Sequence, residues 1–254
     1  MDTDSETGSD HRYDERYFTE TYGDQGLRKF GLHWWSVRWY ALMVDQCLQD
    51  IDGQRLLEIG CGHGFMLARL EKKYSTYGVD ISRYAIEQAA RFAPRSTCAV
   101  ANFEQGLPAQ FESGSFDVIV SKYVFEHLED PLAAMRHAAA LLRPGGIILF
   151  SVPNTLSLGA RRNGETWFAH PAMDPTHCSL LSPPEWREIT GNADLEFCKE
   201  SADGYWDIPY LRWLPKWVQF PIFLGPTVLA CLSGRAILPP GFGENLLIFA
   251  RKPD

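Results

Sequence analysis

The sequence of 254 residues lacks the features that mark membrane-spanning and exported proteins. No apolar run reaches the roughly 18 residues that a spanning helix needs. The nearest run, residues 217–232, is interrupted by two prolines and a glycine. The opening MDTDSETGSD is acidic and polar, whereas a signal peptide begins with basic residues followed by an apolar stretch. We therefore predict a cytoplasmic protein with a disordered acidic tail over residues 1–12.

The chain is also short of positive charge and of paired metal ligands. Its 24 lysine and arginine residues are outnumbered by 32 aspartate and glutamate residues, and the net charge of −8 opposes nonspecific binding to phosphate backbones. Nucleic acid is therefore not an expected partner. The six cysteines include no C-x-x-C pair, which argues against a zinc site and favours scattered reduced thiols.

What the sequence does contain is a glycine-rich turn between an apolar segment and a helical one. Residues 55–59 read RLLEI, which is typical of a buried parallel strand, and glycines follow at positions 60, 62 and 64. Glycines allow the backbone to turn sharply and to approach a ligand that a Cβ would displace. This pattern predicts a site for an adenosine ligand at the carboxyl edge of a parallel sheet, within one α/β domain.

The spacing of the glycines distinguishes two classes of protein that bind adenosine-containing cofactors. Dinucleotide-binding folds usually carry G-x-G-x-x-G, with the pyrophosphate at the helix N-terminus. Here Phe65 stands where the third glycine of that pattern would fall. The G-x-G-x-G loop and the preceding Glu58 instead resemble the first motif of the class I S-adenosylmethionine-dependent methyltransferases.

The resemblance extends from Leu56 to Asn154 through further motifs. In chain order these are a strand ending at Asp80, the strand SFDVIVS, the segment EHLEDP at 126–131 and the helix stop LRPGG at 142–146. The resemblance implies a Rossmann-like, seven-stranded, mostly parallel sheet with helices on both faces and an antiparallel last strand. It also implies S-adenosylmethionine as the cofactor.

The cofactor residues follow from the ends of the predicted strands. Asp80 is placed to accept both hydroxyl protons of an adenosine ribose, or it only opens the next helix together with Ser82 as N-cap. Asn102 stands where relatives commonly carry an acid for the adenine amino group, and Phe103 either covers the adenine or belongs to the core. The full predicted set is Glu58, Gly60, Cys61, Gly62, Gly64, Asp80, Ile81, Asn102, Phe103 and Ser121.

Two histidines are the candidate catalytic residues. His127 follows the fourth strand, and histidine suits a general base because its ordinary pKa lies near neutrality. His177, in the loop DPTHCSLLSP, is a candidate substrate contact or proton acceptor. The alternatives are a helix-lining role for His127 and a backbone hydrogen bond for His177. Glu126 beside His127 does not define a metal site, so no metal is predicted.

The remaining segments are expected to shape the acceptor side of the site. Residues 13–50 predict an N-terminal helical cap, in which Arg38 either pairs with the carboxylate of the cofactor or is solvated. Residues 51–254 form the predicted methyltransferase domain, with a substrate loop at 153–182 and an apolar insertion at 204–243. The insertion predicts a cover for a hydrophobic substrate, a peripheral membrane contact, a dimer contact or an extra packing layer.

These features together predict an S-adenosylmethionine-dependent methyltransferase that acts on a small, hydrophobic or lipid-like molecule, with O-methylation favoured. Alignment of two bound reactants supplies as much as ~7–11 kcal/mol of barrier reduction, so a strong covalent catalyst is not required. Two alternatives stay open. A catalytically silent binding protein of the same fold would show no turnover, and a nicotinamide-dependent oxidoreductase would bind a different cofactor.

Overall fold

The computed structural model of the chain describes residues 13, 15–22, 31–48, 54–205, 208–211 and 213–254. The predicted acidic tail at residues 1–12 lies outside these described residues. The strands of the sheet are β1 (Arg55–Ile59), β2 (Ser75–Asp80), β3 (Thr97–Val100), β4 (Phe116–Lys122), β5 (Leu142–Pro153), β6 (Glu196–Ala202) and β7 (Asn245–Arg251). The helices are α1 (Glu15–Tyr22), α2 (Leu32–Leu48), α3 (Leu67–Leu70), α4 (Arg83–Phe92), α5 (Pro131–Leu141), α6 (Leu158–Asn163), α7 (Pro183–Asn192) and α8 (Lys216–Ser233). Short 3-10 helices span Phe103–Gln105, Phe125–His127 and Gly164–Thr166.

The seven strands form one sheet in the order β3-β2-β1-β4-β5-β7-β6. Strands β1 to β5 pair in parallel, whereas β7 is antiparallel to both β5 and β6. The order reverses direction beside β1, and ligands of such sheets bind beyond the carboxyl ends of the strands at that point. The predicted Rossmann-like fold with an antiparallel last strand is confirmed.

Apolar side chains of the central strands are buried on both faces of the sheet, which explains why these strands read as continuous apolar runs. Successive side chains point to opposite faces, so Leu56 and Leu57 enter different cores. Leu57 belongs to the core that contains Met135 of α5 and Trp186 of α7. Leu56 belongs to the core that contains Trp39 of α2. Helices therefore cover both faces, as predicted.

Three helix starts carry the capping residues that the sequence indicates. The Ser82 hydroxyl accepts from the third residue of α4, and the Asp130 carboxylate accepts from the third residue of α5. Ser182 and Glu185 form the predicted capping box at the start of α7. These caps fix where each helix leaves the carboxyl edge of the sheet.

Two element boundaries differ from the sequence prediction. The helix expected after the glycine turn, over residues 65–74, is only one turn long, because the chain must enter β2 at Ser75. Strand β5 begins at Leu142 instead of Ile147, so the LRPGG motif is its first part. The register between β4 and β5 shifts next to Phe116, where this early segment pairs.

The apolar insertion contains α8, which the sequence did not predict because Pro221 and Pro226 lie inside it. The insertion leaves the sheet at the end of β6 and returns at the start of β7. Since β6 runs parallel to β5, the insertion begins at the same edge of the sheet as residues 154–182. Among the described helices, none combines the length and the apolar character needed to cross a membrane.

Candidate functional site

A cavity of about 720 Å³ lies at the carboxyl edge of the sheet. Its walls come from the glycine turn, the ends of β2 and β3, the segment after β4, α1 and the loop that follows β5. The predicted site residues that line it are Gly60, Gly62, Asp80, Ile81, Asn102, Phe103 and His127. The structure therefore brings most predicted cofactor residues and one candidate base around a single space.

A smaller cavity of about 70 Å³ lies against the other side of the glycine turn. Two predicted cofactor residues, Glu58 and Cys61, line this smaller cavity. The residues that line both cavities are Gly60, Gly62, Lys122 and Tyr123. The two spaces thus meet at the turn and at the end of β4.

Three predicted residues line neither of these two cavities. Gly64 packs against α4, where an added Cβ would lie 3.0 Å from the Cβ of Ala89. Ser121 is fully buried in β4, and its hydroxyl has no hydrogen-bond partner within the described chain. His177 is buried behind the cavity wall that Asp174 and Cys178 help to form. Gly64 and His177 support the wall from behind.

The glycine turn depends on the backbone conformation of Gly60. Its φ of +70° lies in the left-handed region, which residues with a Cβ rarely adopt. A Cβ at this position would also overlap the side chain of Val124. The N–H groups of Gly60 and Cys61 donate to the carbonyl of Val79, at 2.8 and 3.0 Å, which fixes the turn against the end of β2.

Asp80 joins the glycine turn to the second strand. Its Oδ2 accepts a 2.8 Å hydrogen bond from Gly62 N–H, and its Oδ1 accepts a 2.9 Å bond from Ser82 N–H. Burial raises the pKa of the carboxyl, while the amide hydrogen bonds from Ser82, Gly62 and Ile81 oppose the rise. Each carboxylate oxygen has capacity for a further bond, so Asp80 both holds the turn and offers acceptors to the cavity.

Asn102 and Phe103 line the cavity with side chains that already have partners. The Asn102 Oδ1 accepts a 3.0 Å bond from Glu104 N–H and caps the 3-10 helix that follows. Phe103 is buried, and its ring stacks on His137 with centroids 4.7 Å apart. Asn102 keeps its amide N–H donors for a ligand, whereas Phe103 is a member of the buried core and only borders the cavity. Their contact with adenine stays a prediction.

His127 is held in one ring orientation by the loop after β5. Its Nδ1 lies 3.2 Å from the carbonyl of Thr176 and 2.9 Å from the Thr176 hydroxyl. The Thr176 hydroxyl in turn donates to Asp174 at 2.5 Å. When Nδ1–H donates to the Thr176 carbonyl, the lone pair of the neutral ring lies on Nε2, which is the tautomer of a general base.

His177 packs against His127, with ring centroids 4.8 Å apart. Its Nδ1 lies 2.8 Å from the carbonyl of Ala169, and its Nε2 lies 3.5 Å from Asp174 Oδ2. Both ring nitrogens therefore face protein groups. This arrangement is the backbone hydrogen bond that the sequence left as the alternative for His177, and it suits a residue that positions His127.

Glu126 completes a cluster with the two histidines. One ligand atom from each of the three residues lies within 4.8 Å of the others. Burial raises the pKa of Glu126 to about 8, and the negative charge of Asp174 adds to the rise. Tetrahedral donors at ~2.0–2.1 Å from zinc are ~3.3 Å apart, so the cluster would have to contract to hold such an ion. The third donor, His177, is 50 residues distant in sequence from His127, and no spacing motif marks it.

Lys122 is the basic residue in the lining of both cavities, and the sequence did not single it out. It ends β4 and lines both cavities. Its signal in the sequence is a lysine at the end of a mainly apolar strand, FDVIVSK. Arg38 donates a 2.7 Å bond from Nη1 to the carbonyl of Cys231, lies over the Trp35 ring at 5.7 Å from its centroid and lines neither cavity, which agrees with the alternative to a cofactor contact that the sequence left open.

Glu244 connects the loop after β5 to the apolar insertion. This fully buried carboxylate accepts hydrogen bonds from Ser157 Oγ at 2.9 Å and from Gly159 N–H at 3.1 Å. It also accepts from Trp167 Nε1 at 3.0 Å and from Tyr210 O–H at 2.7 Å. The loop after β5 and the apolar insertion therefore share one anchoring carboxylate.

The insertion presents large apolar side chains to solvent. Trp213 and Trp217 are 77% and 76% exposed. No charged residue occurs between Lys216 and Arg235. Trp213 precedes α8 and Trp217 lies in it, and the other exposed apolar side chains of α8 are Phe220, Ile222, Val228, Leu229 and Leu232. This surface is much more apolar than the outer face of an ordinary helix in solution.

Comparison with known proteins gives a family match. A family model described as a methyltransferase domain matches residues 38–200. Curated relatives include the ubiquinone biosynthesis O-methyltransferase of Alkalilimnicola ehrlichii, 31% identical over 114 residues, which are 44% of this chain and 46% of the relative. The corresponding protein of Vibrio parahaemolyticus is 30% identical over 119 residues, 44% of this chain and 51% of the relative. The chain thus spans about half the length of these curated relatives.

Solved structures share the fold over most of the chain. An S-adenosylmethionine-dependent methyltransferase from Mesorhizobium loti superposes with a TM-score of 0.58 at 17% identity, covering 85% of this chain and 98% of that one. The [4+2]-cyclase SpnF superposes with a TM-score of 0.58 at 18% identity, covering 86% and 82%. The cyclase illustrates that this fold alone does not determine the reaction.

Proposed function

We propose, because this chain belongs to the class I S-adenosylmethionine-dependent methyltransferase family, that it methylates an oxygen atom of a small, hydrophobic or lipid-like molecule. The observation that carries the proposal is the 720 Å³ cavity, in which the glycine turn and Asp80 face His127 and a group of aromatic side chains. The family match removes the nicotinamide-dependent oxidoreductase from the alternatives. It leaves open a silent binding protein of the same fold.

The residues around the glycine turn fit S-adenosylmethionine on structural grounds. Gly60 leaves room where a Cβ would collide, and Asp80 offers buried carboxylate oxygens of the kind that bind ribose hydroxyls. When bound, the cofactor supplies an electrophilic sulfonium methyl group. The predicted cofactor residues are retained in the proposal, with Gly64 and Ser121 acting through the packing of the turn and of β4.

His127 is the group that we propose to accept the proton of the acceptor hydroxyl. Its Nδ1 is engaged by Thr176, so Nε2 is the nitrogen that carries the lone pair toward a substrate. His177 is a positioning residue in this proposal, because its two nitrogens face Ala169 and Asp174. General-base catalysis of this kind typically contributes ~10²–10⁴-fold to the rate.

The hydrophobic character of the acceptor is inferred from the aromatic side chains that line the cavity. Tyr13, Tyr17 and Phe18 contribute aromatic rings from the N-terminal cap, and Phe168 contributes one from the loop after β5. Aromatic walls favour an apolar or aromatic ligand. The names of the curated relatives, ubiquinone biosynthesis O-methyltransferases, also support oxygen as the methylated atom.

The segments outside the sheet have assigned roles in the proposal. Residues 13–50 act as a lid, which is supported by the contact of Phe18 with His63 of the turn at 5.0 Å between ring centroids. Residues 153–182 form the substrate loop and residues 204–243 the acceptor-side insertion, within a methyltransferase domain at residues 51–254.

The insertion also supports a peripheral contact with a lipid bilayer. Its exposed tryptophans are the residues that favour the membrane interface, and Lys216 and Arg235 lie at the two ends of the uncharged helix, where anionic headgroups would meet them. A membrane contact at this edge of the sheet would bring a lipid-like acceptor to the same side as the cavity.

The test is transfer of a labelled methyl group from S-adenosylmethionine to a panel of phenols and alcohols with and without apolar tails. We expect turnover that is greatest for tailed acceptors. His127→Asn should lower kcat by ~10²–10⁴-fold and leave S-adenosylhomocysteine binding intact. His170→Asn, in the loop but outside the two cavities, is the matched control.

Each result separates the competing functions. Cofactor binding without turnover on any acceptor would favour the silent binding protein. An unchanged kcat in His127→Asn would remove the base assignment while leaving methyl transfer in place.

A further inference from the structure

A chain of hydrogen bonds joins His127 to a carboxylate through one hydroxyl group. The Nδ1 of His127 lies 2.9 Å from the Thr176 hydroxyl, and that hydroxyl lies 2.5 Å from Oδ1 of Asp174. An ionised carboxylate only accepts hydrogen bonds, so the single hydroxyl proton goes to Asp174. The hydroxyl oxygen therefore accepts from Nδ1–H, and every donor of the chain points from His127 toward Asp174.

A tight turn holds the carboxylate in place. Asp174, Pro175 and Thr176 are the first three residues of this turn, which His177 N–H closes by donating to the Asp174 carbonyl at 3.3 Å. Proline suits the second position of such a turn because its ring fixes φ, and aspartate suits the first position. The Thr176 N–H adds a 3.0 Å bond to Oδ1 of Asp174. The backbone of the turn therefore positions the carboxylate.

The loop that carries the turn is anchored on both sides of His127. Ser179 N–H donates to the carbonyl of Glu126 at 2.9 Å, and the Ser179 hydroxyl donates to the carbonyl of Leu128 at 2.7 Å. Glu126 and Leu128 directly precede and follow His127 in the chain. The backbones of the two segments thus fix the distance between the imidazole and the turn.

Asp174 carries a negative charge at neutral pH. Burial alone would raise its pKa, but the hydrogen bonds from Thr176 and the charges of His177 and His127 outweigh this effect and hold the pKa below its ordinary value. The Asp174 side chain is 37% exposed, so solvent screens the charge only in part. Its Oδ2 lies 3.5 Å from Nε2 of His177, whereas its Oδ1 serves the chain to His127. A fixed anion therefore lies one hydroxyl group away from the proposed base.

Methyl transfer with His127 as the base moves a positive charge. As the oxygen of the methyl acceptor forms its bond to the methyl carbon, the C–S electron pair stays on sulfur, which becomes a neutral thioether. The hydroxyl proton of the methyl acceptor passes to Nε2 of His127. The charge that began on the sulfonium thus ends on the imidazolium, which is unfavourable in a partly buried site unless an opposite charge is near.

We propose that Asp174, acting through the Thr176 hydroxyl, stabilises the positive charge that His127 acquires during methyl transfer. This inference rests on the proposed function, since it deepens the role of the same base. Asp174 and Thr176 are positioning residues in it, because they act on His127 and not on the substrate. Hydrogen bonds to charged groups are about twice as strong as neutral ones, so the chain strengthens when the imidazolium forms.

The Thr176 carbonyl separates the effect of charge from the choice of tautomer. It lies 3.2 Å from Nδ1 of His127, so it still accepts from Nδ1–H when the hydroxyl is removed. Thr176→Val therefore keeps the tautomer and interrupts the link to Asp174. Asp174→Asn removes the charge and keeps an Oδ1 that accepts both bonds from Thr176.

The experiment measures kcat and KM with the phenol that shows the highest turnover in the panel of phenols and alcohols. Asp174→Asn and Thr176→Val should each lower kcat by ~10–150-fold, the range of one charged hydrogen bond. KM and the affinity for S-adenosylhomocysteine should stay unchanged, because neither residue binds a ligand in this inference. Thr176→Ser keeps the hydroxyl and should retain most of kcat.

Two comparisons distinguish this role from a structural one. In the His127→Asn background neither substitution should lower kcat further, because the charge that they stabilise no longer forms. The double variant Asp174→Asn, Thr176→Val should be no slower than either single variant. A loosened loop would instead raise KM and slow the enzyme in both backgrounds. Glu165→Gln, which removes a charge from an exposed part of the same loop, is the matched control and should equal wild type.

The outcomes separate this inference from the proposed function. A wild-type protein that transfers no methyl group to any member of the panel overturns the proposed function, and the inference with it. An unchanged kcat in His127→Asn overturns the base and the inference and leaves methyl transfer in place. A slow His127→Asn variant, together with Asp174→Asn and Thr176→Val variants as fast as wild type, overturns only the role of Asp174. Thermal melting of each variant excludes unfolding as the cause of a lower kcat.

Discussion

The indole Nε1–H of Trp167 donates a 3.0 Å hydrogen bond to Oε2 of Glu244, and both side chains are buried. Trp167 belongs to the loop after β5, and Glu244 immediately precedes β7. Because Tyr210 of the insertion donates to the same carboxylate, one acidic residue fixes the two segments relative to each other. The loop after β5 and the insertion therefore form one connected structure and not a set of independent loops.

Glu244→Gln is predicted to loosen this connection. A glutamine offers one oxygen acceptor where the carboxylate offers two, so at least one buried donor loses its partner, at a cost of ~1–3 kcal/mol in the free energy of unfolding. Urea denaturation measures the loss, with the exposed Glu188→Gln on α7 as control. We also expect a raised KM for the acceptor with unchanged S-adenosylhomocysteine affinity. A variant as stable as wild type would show that the hydrogen bonds to Glu244 contribute nothing to the free energy of unfolding.

Asp80→Ala is predicted to weaken the binding of S-adenosylhomocysteine. The change removes charged hydrogen bonds to the ribose, worth ~1.5–3 kcal/mol or roughly 10–150-fold in Kd, and it also frees the Gly62 amide. Calorimetry measures the affinity. The control is Ser82→Ala, which removes the N-cap of α4 but no predicted ligand contact, so it should lower stability and spare affinity. Equal affinity of Asp80→Ala and wild type would refute the ribose assignment.

Glu126 is predicted to make the stability of the fold depend on pH. Its pKa is about 8 in the folded protein, with burial as the first cause, and near 4.5 when exposed. The folded state therefore binds the proton more tightly, and its stabilising effect, complete below pH 4.5, is lost as the pH rises toward 8. The loss is at most ~1.4 kcal/mol per pH unit.

Glu126→Gln should abolish this part of the pH dependence. Its melting temperature relative to wild type should increase between pH 5 and pH 8, because a neutral amide has no proton to lose. Melting curves in a series of buffers provide the measurement, and Glu188→Gln again serves as control. Parallel curves for wild type and Glu126→Gln would contradict the raised pKa.

The apolar surface of α8 is predicted to bind anionic vesicles. Co-sedimentation with phosphatidylglycerol vesicles should be reduced several-fold in the double variant Trp213→Glu, Trp217→Glu, and it should weaken with added salt because Lys216 and Arg235 contribute. The control is Phe197→Glu, which alters an exposed aromatic ring near the amino end of β6, at the opposite edge of the sheet. Equal sedimentation of all variants would contradict a bilayer contact and favour a contact between proteins.

The fold and the glycine turn were predictable because their signals are local. Buried parallel strands give apolar runs, and a turn with φ of +70° at Gly60 requires glycine. Asp80 was predictable for the same reason, since its position at a strand end follows from chain order alone. The strands, the glycine turn and the position of Asp80 can therefore be predicted directly from the sequence.

The acceptor side was much less predictable because its contacts depend on tertiary packing. His127 and His177 lie side by side only because the loop after β5 folds back over the end of β4. Lys122 lies beside the glycine turn because of the strand register, and the partner of Arg38 is a carbonyl of α8 that lies 193 residues away in the sequence. No pattern of spacing in a single sequence carries this information.

The insertion has a further consequence that follows from where it joins the sheet. It leaves at Ala202 and returns at Asn245, and the β6–β7 ladder closes behind it with its backbone hydrogen bonds intact. Under the proposed function, in which the insertion lies on the acceptor side, exchange of this segment for a counterpart from another protein of the same architecture should change the range of acceptors, as long as the new segment keeps the contact with α2 that Arg38 makes at the Cys231 carbonyl.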